Sequence, residues 1–172
     1  MDKKKRHEFI LQRLNDDPFL KDENLSKLCG VSVATIRLDR AELGIAQYRE
    51  RIRTAAKEGM TAKTGELLDL DLYHNGISVL ETDAAMLFEG TDIVKSQFIY
   101  AFAENLALSV VNAKAALIKV ANVKYISEVH AGEKLIARSE VIRERANEYI
   151  VHVFIRANMT QVFRGKFSLA VR

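Results

Sequence analysis

The spacing of apolar residues changes once along this chain of 172 residues, and that change limits the folds open to it. Up to about Lys63, apolar residues recur every three or four positions, which is the period of an amphipathic helix. From Glu66 onward the period is two, and Leu68, Leu70 and Leu72 alternate with acidic residues, as in a half-exposed strand. The sequence therefore predicts an α+β protein with a helical N-terminal part and a mostly β C-terminal part.

Three helices are predicted in the N-terminal part. Breakers and caps mark their ends: Asp16-Asp17-Pro18 stops the first, and Ser32 stands where an N-cap belongs, ahead of a helix closed by Gly44. Leu25 and Leu28 are predicted to face inward from the second helix. The predicted spans are Lys3 to Asn15, Asp22 to Leu28, and Val33 to Leu43.

The second and third helices have the spacing of a helix-turn-helix. Counting from Asp22, the fifth residue is the small Ser26 and the ninth is Gly30, which adopts a left-handed turn at little cost. Leu25 and Ile36 are predicted to pack against each other across a short, steep crossing. An ordinary three-helix bundle with a solvated outer face is the alternative.

A helix-turn-helix would present the third helix to DNA. Ser32 and the free N–H groups beside it suit a phosphate, Thr35 and Arg37 suit base edges, and Arg40 suits a base or a phosphate. The charge distribution also favours DNA binding by the N-terminal part. Residues 1–53 contain 12 Lys/Arg and 9 Asp/Glu, whereas residues 54–172 contain 14 of each, so the net positive charge lies in the first segment. The basic run from Lys3 to Arg6 is either an arm that follows DNA or a disordered, solvated terminus.

A charged segment from Ala46 to about Lys63 connects the two parts. Its apolar residues form a thin stripe at helical spacing, which favours an amphipathic helix that docks on something. This linker is either a passive connector or an element that docks on DNA or on the second domain. The predicted domains are 1–45, 46–64 and 65–172. The stripe comprises Tyr48, Ile52, Ala55, Ala56 and Met60.

The C-terminal part contains two strands, one very apolar helix and four further strands. His74-Asn75-Gly76 is the predicted hairpin turn, and the helix runs from about Ser96 to Val111. A helix that is apolar on more than half its circumference requires a large partner, most simply a curved sheet. The element order predicts a hotdog domain, in which a sheet wraps one helix; another α+β layer packing is the alternative.

Several function classes are disfavoured by composition. No apolar run approaches the roughly 20 residues of a membrane-spanning helix, so we expect no membrane partner. Cys29 is the single cysteine; it suits a reducing cytoplasm and builds no zinc site by itself. No phosphate-cradling glycine loop and no metal-ligand spacing is present. We expect no cofactor and no metal.

Three groups of residues carry a resemblance to a known family. The segment from Val31 to Arg40 resembles the recognition region of DeoR-like repressors. Together with the segment from Tyr48 to Arg53, it resembles the FapR family of bacterial repressors of fatty-acid and phospholipid synthesis genes. Segments 65–70, 77–81, 132–138 and 162–167 extend the resemblance over nearly the whole chain.

The resemblance implies a homodimer that binds an inverted-repeat operator in double-stranded DNA and releases it when an acyl-CoA, malonyl-CoA in the family, binds the hotdog domain. Phe88 matches the aromatic residue that the family places before the central helix. Lys95 and Ser96 stand where the family has arginine and glycine, and Glu104 where it has asparagine. Lysine keeps the charge but lacks the planar fork that pairs with a carboxylate.

Glu104 is unusual, because a carboxylate within an apolar helix is rarely buried unless it is paired. It either faces solvent or pairs with Lys95, with the partner residue in the same or the other protomer. Our hypothesis is that such a pair weakens malonyl-CoA binding.

Two other functions are consistent with the sequence. One is a hotdog acyl-CoA thioesterase that uses Glu104 as general base or nucleophile. The other is a structural interaction module. The helical head is superfluous to an enzyme, so the sequence favours a regulator without catalytic residues.

Overall fold

The computed structural model describes residues 2–48, 50–51, 65–112 and 115–172. The chain divides into two compact units, Met1–Ala55 and Ala56–Arg172. The first contains α1 (Lys3–Asp16), α2 (Asp22–Cys29) and α3 (Val33–Glu42). The second contains β1 (Glu66–Asp71), β2 (Asn75–Glu81), a 3₁₀ turn (Ala84–Met86), α4 (Ser96–Val110), β3 (Ala116–Tyr125), β4 (Lys134–Arg145), β5 (Glu148–Ala157) and β6 (Thr160–Val171).

The first unit, called the head below, is built on a small apolar core that joins its three helices. Leu25 and Ile36 are both fully buried in that core, as predicted. Leu28 is 50% exposed, so its predicted inward position is wrong. Cys29 takes that position, because it lies one full turn after Leu25 on the same face of α2. The core residues are Ile10, Leu14, Leu25, Cys29 and Ile36.

The turn between α2 and α3 forms as predicted. Gly30 has a φ of 66° at the C-cap of α2, in the left-handed region that glycine adopts most readily. The Ser32 side chain accepts a hydrogen bond from the Thr35 N–H at 3.1 Å and caps α3. The Ser26 hydroxyl donates to the Val31 carbonyl at 2.6 Å and closes the turn.

A buried carboxylate holds α3 against α1. Asp39 accepts hydrogen bonds from Arg6 Nε at 2.6 Å and from Arg6 Nη2 at 3.1 Å, and His7 Nε2 lies 2.9 Å from it. The disordered terminus predicted as one alternative for the basic run is therefore wrong, whereas contact of its exposed lysines with DNA stays a prediction. Residues 3–6 belong to α1, Arg6 is buried, and Lys3 pairs with the exposed Glu42 at 2.8 Å.

The linker predicted over residues 46–64 is described only at 46–48, 50 and 51, and its other positions lie outside the described residues. A helical turn begins at Gln47, whose carbonyl accepts from the N–H groups of Glu50 and Arg51, both at 3.0 Å. Of the predicted apolar stripe, only Tyr48 is described.

The second unit is one antiparallel sheet that packs its inner face on α4. The strand order is β1-β2-β4-β5-β6-β3, so β1 and β3 are the two edges. Alternate residues of the strands point inward, and α4 buries Phe102 and Leu106 completely against them. This arrangement confirms the predicted hotdog domain and, with the head, the predicted α+β class.

The first hairpin turns earlier than predicted. Its turn is Leu72 to His74, where Tyr73 has a φ of 64°, and Asn75 already pairs with Asp71 in the ladder. Gly76 lies within β2, paired with Leu70, and a Cβ there would come within 3.1 Å of the Leu106 side chain. The predicted turn at His74-Asn75-Gly76 is therefore wrong; the glycine serves close packing of α4.

Two further features of the described residues bear on function. Over those residues, no helix has the length and apolar character needed to cross a membrane. Within the same ranges, no cluster of three His, Cys, Asp or Glu side chains could hold a metal ion.

Replacing Asp39 with asparagine should destabilise the head by about 3 kcal/mol, because it leaves the buried Arg6 charge uncompensated. Hydrogen bonds from Arg6 and His7 hold the pKa of Asp39 below its usual value. Its contribution to stability is therefore full above the usual carboxyl pKa, about 4, and is lost as pH falls through the lower folded value.

Hydrogen exchange of α1 and α3 amides in the whole chain measures this effect. Glu42→Gln is the control, since Glu42 is an exposed carboxylate that pairs with Lys3. Equal protection of these amides in the Asp39→Asn and Glu42→Gln variants would contradict the role given to Asp39.

Candidate nucleic-acid interface and effector groove

The outer face of α3 presents three of the four residues predicted to bind DNA. Ser32 is exposed at its N-terminus, with its hydroxyl 2.9 Å from that of Thr35. The Arg37 side chain is 65% exposed. A capped helix N-terminus followed by a polar and a cationic side chain suits one phosphate and adjacent base edges.

Arg40 does not lie on that face, and its predicted outward position is wrong. Its side chain is 7% exposed, and its Nε and Nη2 both donate to the Asp22 carboxylate at 2.7 Å. Its Nη1 donates to the carbonyls of Ile45 at 3.3 Å and Ala46 at 3.1 Å. Arg40 follows Ile36 by one helical turn, so it shares the inner face of α3.

Leu38 is an exposed residue of α3 that our sequence analysis did not single out. Its exposure is 66%, the highest of the large apolar residues described in the head. Position 38 lies about 200° from the buried Ile36, which places it outward beside Arg37. An apolar side chain there suits the methyl group of thymine.

The second unit has an open groove at the N-terminal end of α4. Its volume is about 350 Å³, and it contains two predicted effector residues, Phe88 and Ser96. Phe88 is 50% exposed. The Tyr125 hydroxyl donates to the Ser96 carbonyl at 3.3 Å, which ties the end of β3 to the start of α4. The lining residues are Phe88, Ile93, Val94, Ser96, Ile99, Tyr125, Ile126, Ser127, Glu128 and Val129.

Lys95 stands at the N-cap position of α4, and its side chain makes no capping hydrogen bond. Ser96 is the first residue of the helix. Among the described residues, those that line the groove include neither Lys95 nor Glu104.

The structure does not bring Lys95 and Glu104 together within a protomer. Nine positions along a helix correspond to about 13 Å and half a turn out of phase. Over the described ranges, the ion pairs of the chain do not include one between these two side chains. A pair between protomers stays a prediction.

Glu104 is partly exposed and lies one turn after Tyr100. Burial raises the pKa of Tyr100, and the Glu104 charge raises it further. The four histidines are engaged elsewhere: His7 contacts Asp39, His74 contacts Leu72, His130 contacts Asp92 and His152 contacts Phe154. In the part of the chain that the structure describes, Glu104 therefore has no histidine partner for acid–base chemistry.

A helix-turn-helix head and a hotdog unit on one chain define a DNA-binding protein with a separate second domain. Residues 6–57 match the DeoR-like helix-turn-helix domain family. A transcription factor FapR of Thermoanaerobacter sp. is 48% identical over 98% of this chain and 88% of its own length. Transcription factor FapR of Bacillus subtilis is 32% identical over 97% and 95%. The chain belongs to the FapR family of transcription factors, so it is a DNA-binding regulator rather than an enzyme.

Solved structures agree on the second unit. An uncharacterized protein of Pyrococcus horikoshii aligns with a TM-score of 0.61 at 25% identity, over 63% of this chain and 83% of its own. The Escherichia coli PaaI protein of the phenylacetic acid degradation operon aligns with a TM-score of 0.59 at 14% identity, over 69% and 84%. At such low identity the PaaI likeness concerns the fold alone.

The two arginines of α3 should respond differently to replacement. Arg37→Ala should weaken binding of the preferred DNA sequence by about 2 kcal/mol with unchanged thermal stability, because Arg37 is exposed. Arg40→Ala should destabilise the head by about 3 kcal/mol, because it removes the two hydrogen bonds at 2.7 Å that the buried Asp22 carboxylate accepts from Arg40. Fluorescence anisotropy and thermal unfolding measure the two effects; an Arg40 variant of normal stability would show that the Asp22 pair does not hold the head.

Proposed function

We propose that this protein is a homodimeric repressor of fatty-acid and phospholipid synthesis genes, released from its operator by an acyl-CoA effector. The observation that carries the proposal is one chain with both an exposed recognition face on α3 and an open groove beside α4. Membership of the FapR family agrees with this assignment. A protein that acts on the genes of a bacterium works in the cytoplasm.

The groove supports an acyl-CoA as the effector. Phe88, Ile93 and Ile99 give it an apolar wall for an acyl chain and thioester. The N-terminus of α4 favours an anionic acyl group such as malonyl, and Lys95 adds a positive charge at the N-cap position between the lining residues Val94 and Ser96. A Streptococcus mutans protein of the same fold was solved bound to acetyl-CoA, with a TM-score of 0.58 at 13% identity over 63% of this chain and 88% of its own.

Lysine and serine at positions 95 and 96 alter how a malonyl group would be held. Lys95 offers a point charge in place of a planar, two-pronged donor, so a carboxylate is bound with less geometric constraint. Ser96 adds a side chain at the mouth of the groove, where the thioester would approach. We therefore propose weaker discrimination between malonyl-CoA and neutral thioesters than an arginine would give.

The edge strand β3 supports a homodimer. Its outer backbone groups have no neighbouring strand within the described part of the protomer, and exposed strand edges readily pair with another strand. Its exposed apolar side chains include Leu117, which is 55% exposed, and Val120, which is 60% exposed. Antiparallel pairing of two β3 strands would cover this edge by two-fold symmetry and present two heads to an inverted repeat.

The thioesterase function has less support. Glu104 is not among the described residues that line the groove, and the described histidines are engaged elsewhere. Incubation with short-chain acyl-CoA and a thiol reagent tests it, and turnover abolished by Glu104→Gln would favour an enzyme over a repressor.

A CoA thioester should release the protein from DNA. Titrating malonyl-, acetyl- and succinyl-CoA into the protein–operator complex should raise the operator Kd at least about tenfold for one thioester, whereas free CoA should not. Lys95→Ala should reduce the preference for anionic over neutral thioesters, because the cation beside α4 is removed. Lys134→Ala is the control, since Lys134 pairs with Glu81 on the sheet. Unchanged operator affinity with every thioester would contradict an acyl-CoA effector.

Blocking the β3 edge should produce monomers. Val120→Lys introduces a charge at the proposed dimer interface, and sedimentation should show half the mass together with loss of inverted-repeat binding. Ile136→Lys is the matched control, because Ile136 is 43% exposed on the inner strand β4. A dimeric Val120→Lys chain would exclude the β3 edge as the interface.

A further inference from the structure

The carbonyl of Ala46 accepts hydrogen bonds from two arginines. Arg40 Nη1, which extends from the recognition helix, donates to it at 3.1 Å. Arg51 Nη1, which extends from the turn beginning at Gln47, donates to it at 2.7 Å. The residue where the chain leaves the helix-turn-helix is thus held from two directions.

Arg51 also binds the loop between α1 and α2. Its Nε donates to the Pro18 carbonyl at 2.8 Å and its Nη2 to the Leu20 carbonyl at 2.7 Å. Its guanidinium lies 5.8 Å from the centre of the Tyr48 ring. All three nitrogens of one planar group are used, a pattern that a lysine ammonium cannot reproduce.

Arg40 extends this network of contacts to α2 and, through Asp22, to Arg37 on the outer face of α3. Its other two nitrogens bind the carboxylate of Asp22, the first residue of α2. Arg37, on the outer face of α3, has its Nε 3.7 Å from the same carboxylate. Burial lowers the pKa of Arg51, and the charge of Arg40 lowers it further, so the two guanidinium groups are close enough to repel.

We propose that Arg51 and Arg40 are positioning residues that fix the direction in which the chain leaves each head, and thereby set how two heads meet the two half-sites of an operator. This inference rests on the proposed dimeric repressor. The contacts tie residues 45–51 to both α3 and the α1–α2 loop, so this segment cannot reorient while they persist.

Exit direction matters only when two heads bind together. A single head binds one half-site through α3, whichever way its linker points. Two linked heads gain affinity from a high effective concentration of the second head, and that gain is lost when the geometry does not span both sites. A positioning role therefore predicts a loss confined to the full inverted repeat.

The experiment compares Arg51→Lys with wild type in the whole 172-residue chain. The probes are an inverted-repeat duplex selected from a random library by the wild-type protein, and a duplex containing one half of it. Arg51→Lys keeps the charge but loses the planar contacts to Pro18, Leu20 and Ala46. Arg13→Lys is the matched control, because Arg13 is exposed on α1 and stacks only on Phe9 in the described contacts.

We expect Arg51→Lys to weaken inverted-repeat binding at least about tenfold and to leave half-site binding within about twofold of wild type. Arg13→Lys should change neither. An equal loss on both duplexes would overturn the proposal, since it indicates a DNA contact or a damaged head; unchanged binding of both would overturn it too. Failure of the wild-type protein to select any inverted repeat would instead contradict the proposed function.

Discussion

The position of the recognition helix depends on two buried carboxylates. The head is small, and its core contains only a handful of fully buried side chains among the described residues, so apolar packing alone leaves the helices several ways to pack. Asp39 binds Arg6 and ties α3 to α1, and Asp22 binds Arg40 and ties α3 to the start of α2. A buried ion pair adds little net stability but is costly to break, so it selects one arrangement. The positions of the exposed side chains of α3 therefore depend on these two ion pairs.

In the second unit, apolar packing rather than buried ion pairs fixes the arrangement of helix and sheet. One helix with small and large apolar residues lies on a single antiparallel sheet, and nearly every inner side chain is buried. Close approach is visible at Gly65, whose φ is 96° and where a Cβ would lie 2.4 Å from the Phe102 ring. Such close packing resists deformation of α4, so its N-terminal residues, which border the groove, have a fixed support.

The fold could be predicted from the sequence because periodicity and turn residues are local signals. The helix-turn-helix could be predicted from the cap at Ser32 and the left-handed Gly30. The hotdog domain could be predicted from the change of period near Glu66 and the order of strands and helix after it. The errors came from long-range contacts. Arginine is the residue type expected at a DNA contact, but the partner of Arg40 is Asp22, 18 residues away in the chain. Glycine is typical of a turn, but Gly76 lies in β2, where a Cβ would come within 3.1 Å of the Leu106 side chain. The partners of Arg51 are backbone carbonyls, which sequence composition does not reveal.

In the proposed dimer, ligand binding and subunit contact would share strand β3. Tyr125 ends β3, lines the groove and bonds to the Ser96 carbonyl at the start of α4. Two turns of α4 further on, Phe102 and Leu106 fill the inside of the sheet. A ligand that displaces Ser96 or Tyr125 therefore acts on the β3 edge directly, whereas the packed body of α4 resists deformation. A change in the contact between subunits alters DNA binding only if each head moves together with its linker. In the proposed mechanism, Arg51 and Arg40 would provide that connection, because they hold the linker against the head.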